Sequence, residues 1–151
     1  SLCGYVPAGS ERDLDAIMDA ADWELNTIPN YREKFFRPPV TDEVGEGYKQ
    51  DWICYGNDYV AAKELTVEPG AEVLIKDAAA YGCLAVQGHG QFGKFVVESP
   101  TLIRYGQLTA DEFFVSNARA KEGVLIKNTS PVEPLVILKH FGPDCGMPQM
   151  D

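Results

Sequence analysis

From Trp52 onward, short apolar runs alternate with turn residues, and this pattern predicts a series of β-strands. The strands are expected at 52–56, 58–67, 71–76, 82–88, 91–98, 101–105, 112–116, 123–128 and 134–141. Turn signals such as Pro69-Gly70 and the bend Gly88-His89-Gly90 separate the runs, and residues 117–122 predict one helical turn. Short strands with regular turns between them are typical of an all-β sandwich or barrel.

The first fifty residues have a different pattern. Between Ser10 and Asn26 apolar residues recur at three- and four-residue spacing, which predicts one amphipathic helix capped by its first residue. Residues 31–40, YREKFFRPPV, are basic and aromatic, and the prolines predict an extended backbone. Thr41–Lys49 is polar and glycine-rich and predicts a loop. We therefore expect residues 1–50 to form a helix and arm that pack on the barrel or on a partner, and residues 51–151 to form the barrel.

Charge and composition exclude several classes of partner. The chain has 13 Lys and Arg and 23 Asp and Glu, a formal net charge of −10, and such a surplus repels nucleic acid and anionic membranes. No apolar run approaches the roughly 18 residues that span a bilayer. The chain begins without a basic, apolar leader, and its four cysteines lack zinc-finger or redox spacing, so we expect a cytoplasmic protein. Its length predicts one domain.

The barrel region, from about Trp52 to Gly142, resembles the cupin superfamily of jelly-roll barrels. Pro69-Gly70 and Gly88-His89-Gly90 stand at the two ends of the family's first motif, and Asn128 matches the asparagine of its second motif. The resemblance implies a mainly β, cupin-like jelly-roll barrel, preceded here by the N-terminal helix and extended arm. It extends to uncharacterised cupins near sugar-phosphate isomerases, and by analogy it implies a homodimer.

The metal ligands of the family do not survive at the positions where the resemblance places them. Those positions fall near Ile75, Asp77 and Tyr81 in the first motif and on Val124 in the second. Of these four residues, only Asp77 is of a type that could bind the metal. The resemblance therefore implies the barrel more clearly than it implies the family's metal site.

A rearranged site for a divalent transition metal is one alternative, with His89, His140 and Asp77 as ligands and Glu98 nearby. In an isomerase-type enzyme, His89, Glu98 and His140 would be the candidate catalytic bases. Neither histidine has a partner at H-x-H or H-x-x-x-H spacing. The other alternative is therefore that His89 is a turn residue and His140 a hydrogen-bonded residue of the last strand.

Four residues are candidates for binding a polar ligand, namely Tyr81, Gln87, Arg104 and Tyr105. Tyr81 and Gln87 share a face if their strand alternates regularly, but a bulge at the glycines would change the phase. Arg104 interrupts an apolar strand and would bind a carboxylate or phosphate, or else form a structural salt bridge. The tyrosines offer stacking surfaces for a sugar, or else they fill the core or an interface.

Three functions remain open from the sequence. The first is an isomerase-type enzyme that acts on a carbohydrate-like or other polar metabolite in the barrel mouth, with a metal that polarises a carbonyl. The second is a metal-free, non-catalytic binding or regulatory module. The third is a domain of a larger protein, or one partner of an obligate oligomer, since the chain starts at Ser1 and carries a long aromatic arm.

Overall fold

The computed structural model describes Gly9 and residues 13–101 and 105–149. Contacts between Cα atoms divide the chain into two compact units, Ser1–Arg37 and Pro38–Asp151. None of the described helices is long and apolar enough to span a membrane.

In the described part of the first unit there are three short helices. They are α1 (Leu14–Asp19), α2 (Trp23–Asn26) and α3 (Tyr31–Phe35). The prediction of one helix from Ser10 to Asn26 is wrong, because the Asp22 carboxylate accepts a hydrogen bond from the Leu25 N–H at 2.9 Å and starts a new helix. Asp13 caps α1, and Ser10 lies outside the described residues. Helix α3 ends at Phe35, before the Arg37-Pro38-Pro39 run for which an extended backbone is predicted, and residues 36–39 are not helical.

Over its described residues, the second unit contains nine antiparallel strands and one short helix. They are β1 (Val40–Gly45), β2 (Tyr48–Cys54), β3 (Ala61–Val67), β4 (Glu72–Ile75), β5 (Tyr81–Phe92), β6 (Phe95–Ser99), β7 (Glu112–Val115), α4 (Asn117–Glu122), β8 (Val124–Asn128) and β9 (Leu135–Phe141). Their order is β1-β2-β3-β9-β5-β8-β4, and β6 and β7 also pair with β5. The first half of β5 pairs with β9 and β7, and its second half pairs with β6 and β8. The long strand thus joins two sheets, and the prediction of a mainly β fold is confirmed.

Two details of the strand prediction are wrong. Residues 41–49 form most of the β1–β2 hairpin instead of a loop, and Gly47 supplies the positive φ of 78° that its turn requires. The bend predicted at Gly88-His89-Gly90 lies inside β5, which continues to Phe92. The strand predicted at 101–105 falls largely on 102–104, which lie outside the described residues.

A bulge in β5 decides which side chains face the interior. The register against β9 shifts between Ala85 and Gln87. Before the shift Tyr81, Cys83 and Ala85 are buried, whereas after it the exposed residues are Gln87, His89 and Gln91. Gly88 has a φ of 83°, and a Cβ there would lie 2.5 Å from the Pro134 carbonyl oxygen. Glycine is therefore required where the loop before β9 crosses the strand.

Asn128 joins three parts of the barrel from a fully buried position at the end of β8. Its Nδ2 donates to the Val67 carbonyl at 3.0 Å and to the Glu133 carbonyl at 2.8 Å, while its Oδ1 accepts from the Ser130 N–H at 2.9 Å. The side chain satisfies the Val67 carbonyl and the Ser130 N–H, which are buried, together with the partly buried Glu133 carbonyl. The asparagine matched to the second motif thus has a structural role.

Candidate functional site

Two lysines lie side by side inside the barrel, on strands whose other inward residues are apolar. Lys63 of β3 and Lys139 of β9 are direct cross-strand partners, and 6% and 0% of their surfaces are exposed. Like charges that face each other across a sheet destabilise it, and a buried ammonium group without a partner is costly. The pair therefore requires a buried anion.

Asp77 provides this anion from the loop between β4 and β5. Its Oδ1 is 3.1 Å from Lys63 Nζ and its Oδ2 is 2.7 Å from Lys139 Nζ, and only 1% of its side chain is exposed. The Asp77 backbone N–H donates to the Ala120 carbonyl at 3.0 Å, which holds the loop against α4. One carboxylate thus bridges both ammonium groups.

A bulge in β1 supplies a second carboxylate. The register of β1 against β2 shifts around Asp42, which leaves this residue as the extra one of the bulge. Its Oδ2 lies 2.8 Å from both Lys63 Nζ and Gln50 Nε2, and its Oδ1 accepts from Trp52 Nε1 at 2.9 Å. These bonds and the Lys63 charge hold the pKa of Asp42 below its usual value of 3.8, although burial opposes them. The Asp42 side chain is 28% exposed, so the network reaches the surface here.

Aromatic rings surround the two ammonium groups. Lys63 Nζ lies 4.3 Å from the centre of the Trp52 ring, and Lys139 Nζ lies 5.1 Å from that of Tyr81, within the range of cation–π attraction. Burial lowers the pKa of Lys139, and the Asp77 charge opposes this. Burial and the same charge raise the pKa of the Tyr81 hydroxyl. We call Asp42, Lys63, Asp77 and Lys139 the internal ion network.

The positions that the resemblance assigns to metal ligands all lie in the interior, because Ile75, Asp77, Tyr81 and Val124 are all buried. Their donors do not fit a divalent ion. Ile75 and Val124 offer no ligand atom, and each Asp77 oxygen already accepts from an ammonium group. The Tyr81 hydroxyl has no hydrogen-bond partner in the described part of the chain, and its raised pKa disfavours the phenolate that would bind a metal.

The structure does not bring His89, His140 and Asp77 together. Both histidines are exposed and point away from the interior, where Asp77 lies. His89 faces Glu98 across the β5–β6 pair, whereas His140 lies beside Gly82 across the β5–β9 pair. Of the three predicted catalytic residues, only His89 and Glu98 are direct cross-strand neighbours. Among the described residues, no group of three or more His, Cys, Asp and Glu side chains could hold a metal ion.

The predicted ligand-binding residues are also dispersed. Tyr81 is buried beside the internal ion network, while the β5 bulge turns Gln87 outward. Tyr105 is fully exposed. Arg104 lies outside the described residues. The strand-phase argument that grouped Tyr81 with Gln87 is wrong, because the bulge lies between them.

An aromatic groove lies beside α4, between the end of β7 and the start of β8. Its volume is about 670 Å³. Phe92 stacks on Phe113 with ring centres 4.8 Å apart and planes 20° apart, and Phe95 lies 6.3 Å from Phe113. Lys94 and Arg119 line the same groove. Flat apolar walls beside two cations can hold a flat, anionic molecule. The sequence signal for the groove is the Phe113-Phe114 pair.

Comparisons with known proteins concern the fold. No family model and no curated protein matches the chain. An RmlC-like cupin from Shewanella frigidimarina is similar at 20% identity, covering 70% of this chain and 84% of its own, with a TM-score of 0.42. A cupin-2 domain from Rhodospirillum rubrum is similar at 15% identity, covering 76% and 74%, with a TM-score of 0.48. A cupin 2 domain-containing protein from Halorhodospira halophila is similar at 17% identity, covering 73% and 74%, with a TM-score of 0.47. These similarities do not extend to an activity.

Proposed function

We propose that the protein is a metal-independent binding module that takes a small molecule in the aromatic groove. The observation that carries this proposal is the stack of Phe92 on Phe113 in a groove of about 670 Å³. Small-molecule sites commonly have volumes of about 300–1,000 Å³ and mostly apolar walls with a few polar groups. The internal ion network fills the place where a metal would otherwise act, so the proposal does not involve a metal.

The lining of the groove favours a ligand with a flat, apolar body and a carboxylate or phosphate group. The half-buried ring of Phe113, which packs on the buried Phe92, and the exposed ring of Phe95 offer the stacking surface. Arg119 and Lys94 offer the positive charge. Glu122 contacts Arg119 through Nη1 at 3.3 Å, in a pair that is largely exposed. An anionic ligand would compete with that pair at little cost, because exposed salt bridges contribute little.

The alternative of an isomerase-type enzyme for a carbohydrate-like metabolite receives less support. General acid–base catalysis requires a base within hydrogen-bond reach of the substrate. The groove lining includes none of His89, Glu98 and His140. Binding without catalysis is therefore the function that the geometry favours, and the homodimer expected from the resemblance is compatible with it.

The proposal is tested by isothermal titration with 1-naphthoate, a flat carboxylate, and with glucose 6-phosphate, a carbohydrate-like anion. We expect naphthoate to bind more tightly. Phe113→Leu should lower the affinity for naphthoate about tenfold through lost stacking, a loss of about 1.4 kcal/mol of binding free energy. Arg119→Gln should weaken it severalfold. Tyr59→Ala, which removes an aromatic ring that is 80% exposed, is the matched control and should leave the affinity unchanged.

Circular dichroism of each variant separates a lost ligand contact from a lost fold. Tighter binding of glucose 6-phosphate than of naphthoate would contradict the flat apolar ligand and would assign a carbohydrate-like ligand to the groove instead. Absence of binding, or naphthoate binding that is insensitive to both Phe113→Leu and Arg119→Gln, would contradict the proposed site.

A further inference from the structure

The outer face of one sheet carries two leucines between two acids. Cross-strand pairing places Glu64 of β3, Leu138 of β9, Leu84 of β5 and Glu112 of β7 in one row. The leucines are half-buried, and Glu112 is exposed. The row spans three strand spacings, so its two acids are about 14 Å apart. We call these four residues the outer row.

The acids of the outer row have no ion-pair partner in the part of the chain that the structure describes. Glu64 also faces Asp51 directly across the β2–β3 pair, and like charges in such positions destabilise a sheet. Lys49 contacts Asp51 at 2.7 Å and so compensates the charge of only one of the two acids. A cation from outside would relieve the other.

The row ends at a cavity of about 560 Å³ beside Glu112. Gly82 lets the His140 ring lie close to the strand, since a Cβ at that position would lie 2.8 Å from Cε1 of His140, and both residues line the cavity. Phe114, which is 77% exposed, lines the other side. A carboxylate beside an exposed aromatic ring can hold a guanidinium group through an ion pair and cation–π attraction.

We propose that the outer row docks an extended, basic segment of another protein. An extended chain advances about 3.3 Å per residue, so side chains four residues apart lie on one face about 13 Å apart. Two cationic side chains at this spacing would contact Glu64 and Glu112, and an apolar side chain midway would lie on Leu84 and Leu138. The net charge of −10 favours encounter with a basic partner.

A second copy of this chain is a poorer occupant of the same face. Symmetric pairing of two outer rows would place acids against acids, because Asp51, Glu64 and Glu112 are all negative. The expected homodimer would then use a different surface. The docking proposal is independent of the ligand in the aromatic groove.

The test uses two fluorescently labelled peptides of the same composition. One has the core Arg-Ser-Leu-Ser-Arg, with its charges four residues apart, and the other has the core Arg-Arg-Ser-Leu-Ser. We expect the first peptide to bind at least tenfold more tightly by fluorescence anisotropy. Glu64→Gln with Glu112→Gln should abolish this preference. Glu46→Gln with Glu68→Gln removes the same charge elsewhere on the exposed surface and should preserve it.

Equal affinity for the two peptides would reduce the effect to general charge attraction and overturn the proposal. An equal loss of the preference for the first peptide in the two double variants would also overturn the proposal. A dimer in sedimentation experiments that Leu84→Glu dissociates would assign the face to a second copy instead. The glutamine variants retain side-chain volume at exposed or half-buried positions, so their folding is expected to be unaffected.

Discussion

Replacement of Asp77 by alanine is expected to lower the free energy of unfolding by about 3–5 kcal/mol, because it leaves two buried ammonium groups without their shared anion. Lys63 and Lys139 would then face each other across the β3–β9 pair with only Asp42, on one side, as a counter-charge. A domain of this kind is commonly stable by about 5–15 kcal/mol, so the loss is a large fraction of the total. Urea unfolding at pH 7, followed by tryptophan fluorescence, measures it.

Two further variants make this expectation specific. Asp51→Ala removes a carboxylate whose partner Lys49 is 53% exposed, and it should cost less than about 1 kcal/mol. A triple variant, Lys63→Met, Asp77→Leu and Lys139→Met, should recover most of the stability lost in Asp77→Ala, since apolar groups can replace a buried ion network. A loss below about 1 kcal/mol in Asp77→Ala would contradict the buried network, since only a hydrated pair is worth so little.

The second large effect is expected at Asn128, where replacement by alanine should lower the free energy of unfolding by about 3 kcal/mol. The variant removes the donor to the buried Val67 carbonyl and to the partly buried Glu133 carbonyl, and a buried group left unsatisfied costs about 1–3 kcal/mol. Urea unfolding and the loss of slow amide exchange at the end of β8 measure this effect.

Asn57 offers a matched control for Asn128. Its side chain makes four local bonds. It accepts from the Tyr59 and Val60 N–H groups and donates to the Val60 carbonyl and the Cys54 sulfur. It lies in the loop between β2 and β3, where water can replace the lost bonds, so Asn57→Ala should cost only about 1 kcal/mol. Equal losses in the two variants would mean that Asn128 is not the buried link between β3 and β8.

The sequence predicted most strands because burial on one face leaves a period of two that is visible without a structure. In β9, for example, Leu135, Ile137, Lys139 and Phe141 share the inward face, as their alternation predicts. The β1–β2 hairpin was missed because β1 is almost wholly exposed and its residues lack the apolar alternation. The break between α1 and α2 depends on one capping side chain, Asp22, inside an otherwise periodic segment.

The candidate site was less predictable for two physical reasons. The bulge between Ala85 and Gln87 reverses the side-chain phase, and a local sequence does not locate such a shift. Lys63 and Lys139 are far apart in the chain, and only the β3–β9 register makes them neighbours. A lysine at an inward position of each apolar strand was the available signal, and its meaning required the buried Asp77 between them.

The most direct test of a metal-independent barrel is elemental analysis of the untagged protein, combined with thermal unfolding before and after chelation. We expect no stoichiometric transition metal and an unchanged unfolding temperature, because the internal ion network occupies the donors of the barrel interior. Near-stoichiometric Fe, Mn, Zn or Ni whose removal lowers the unfolding temperature would contradict this. If the metal were also lost in His89→Ala and His140→Ala, the rearranged metal site predicted from the sequence would take its place.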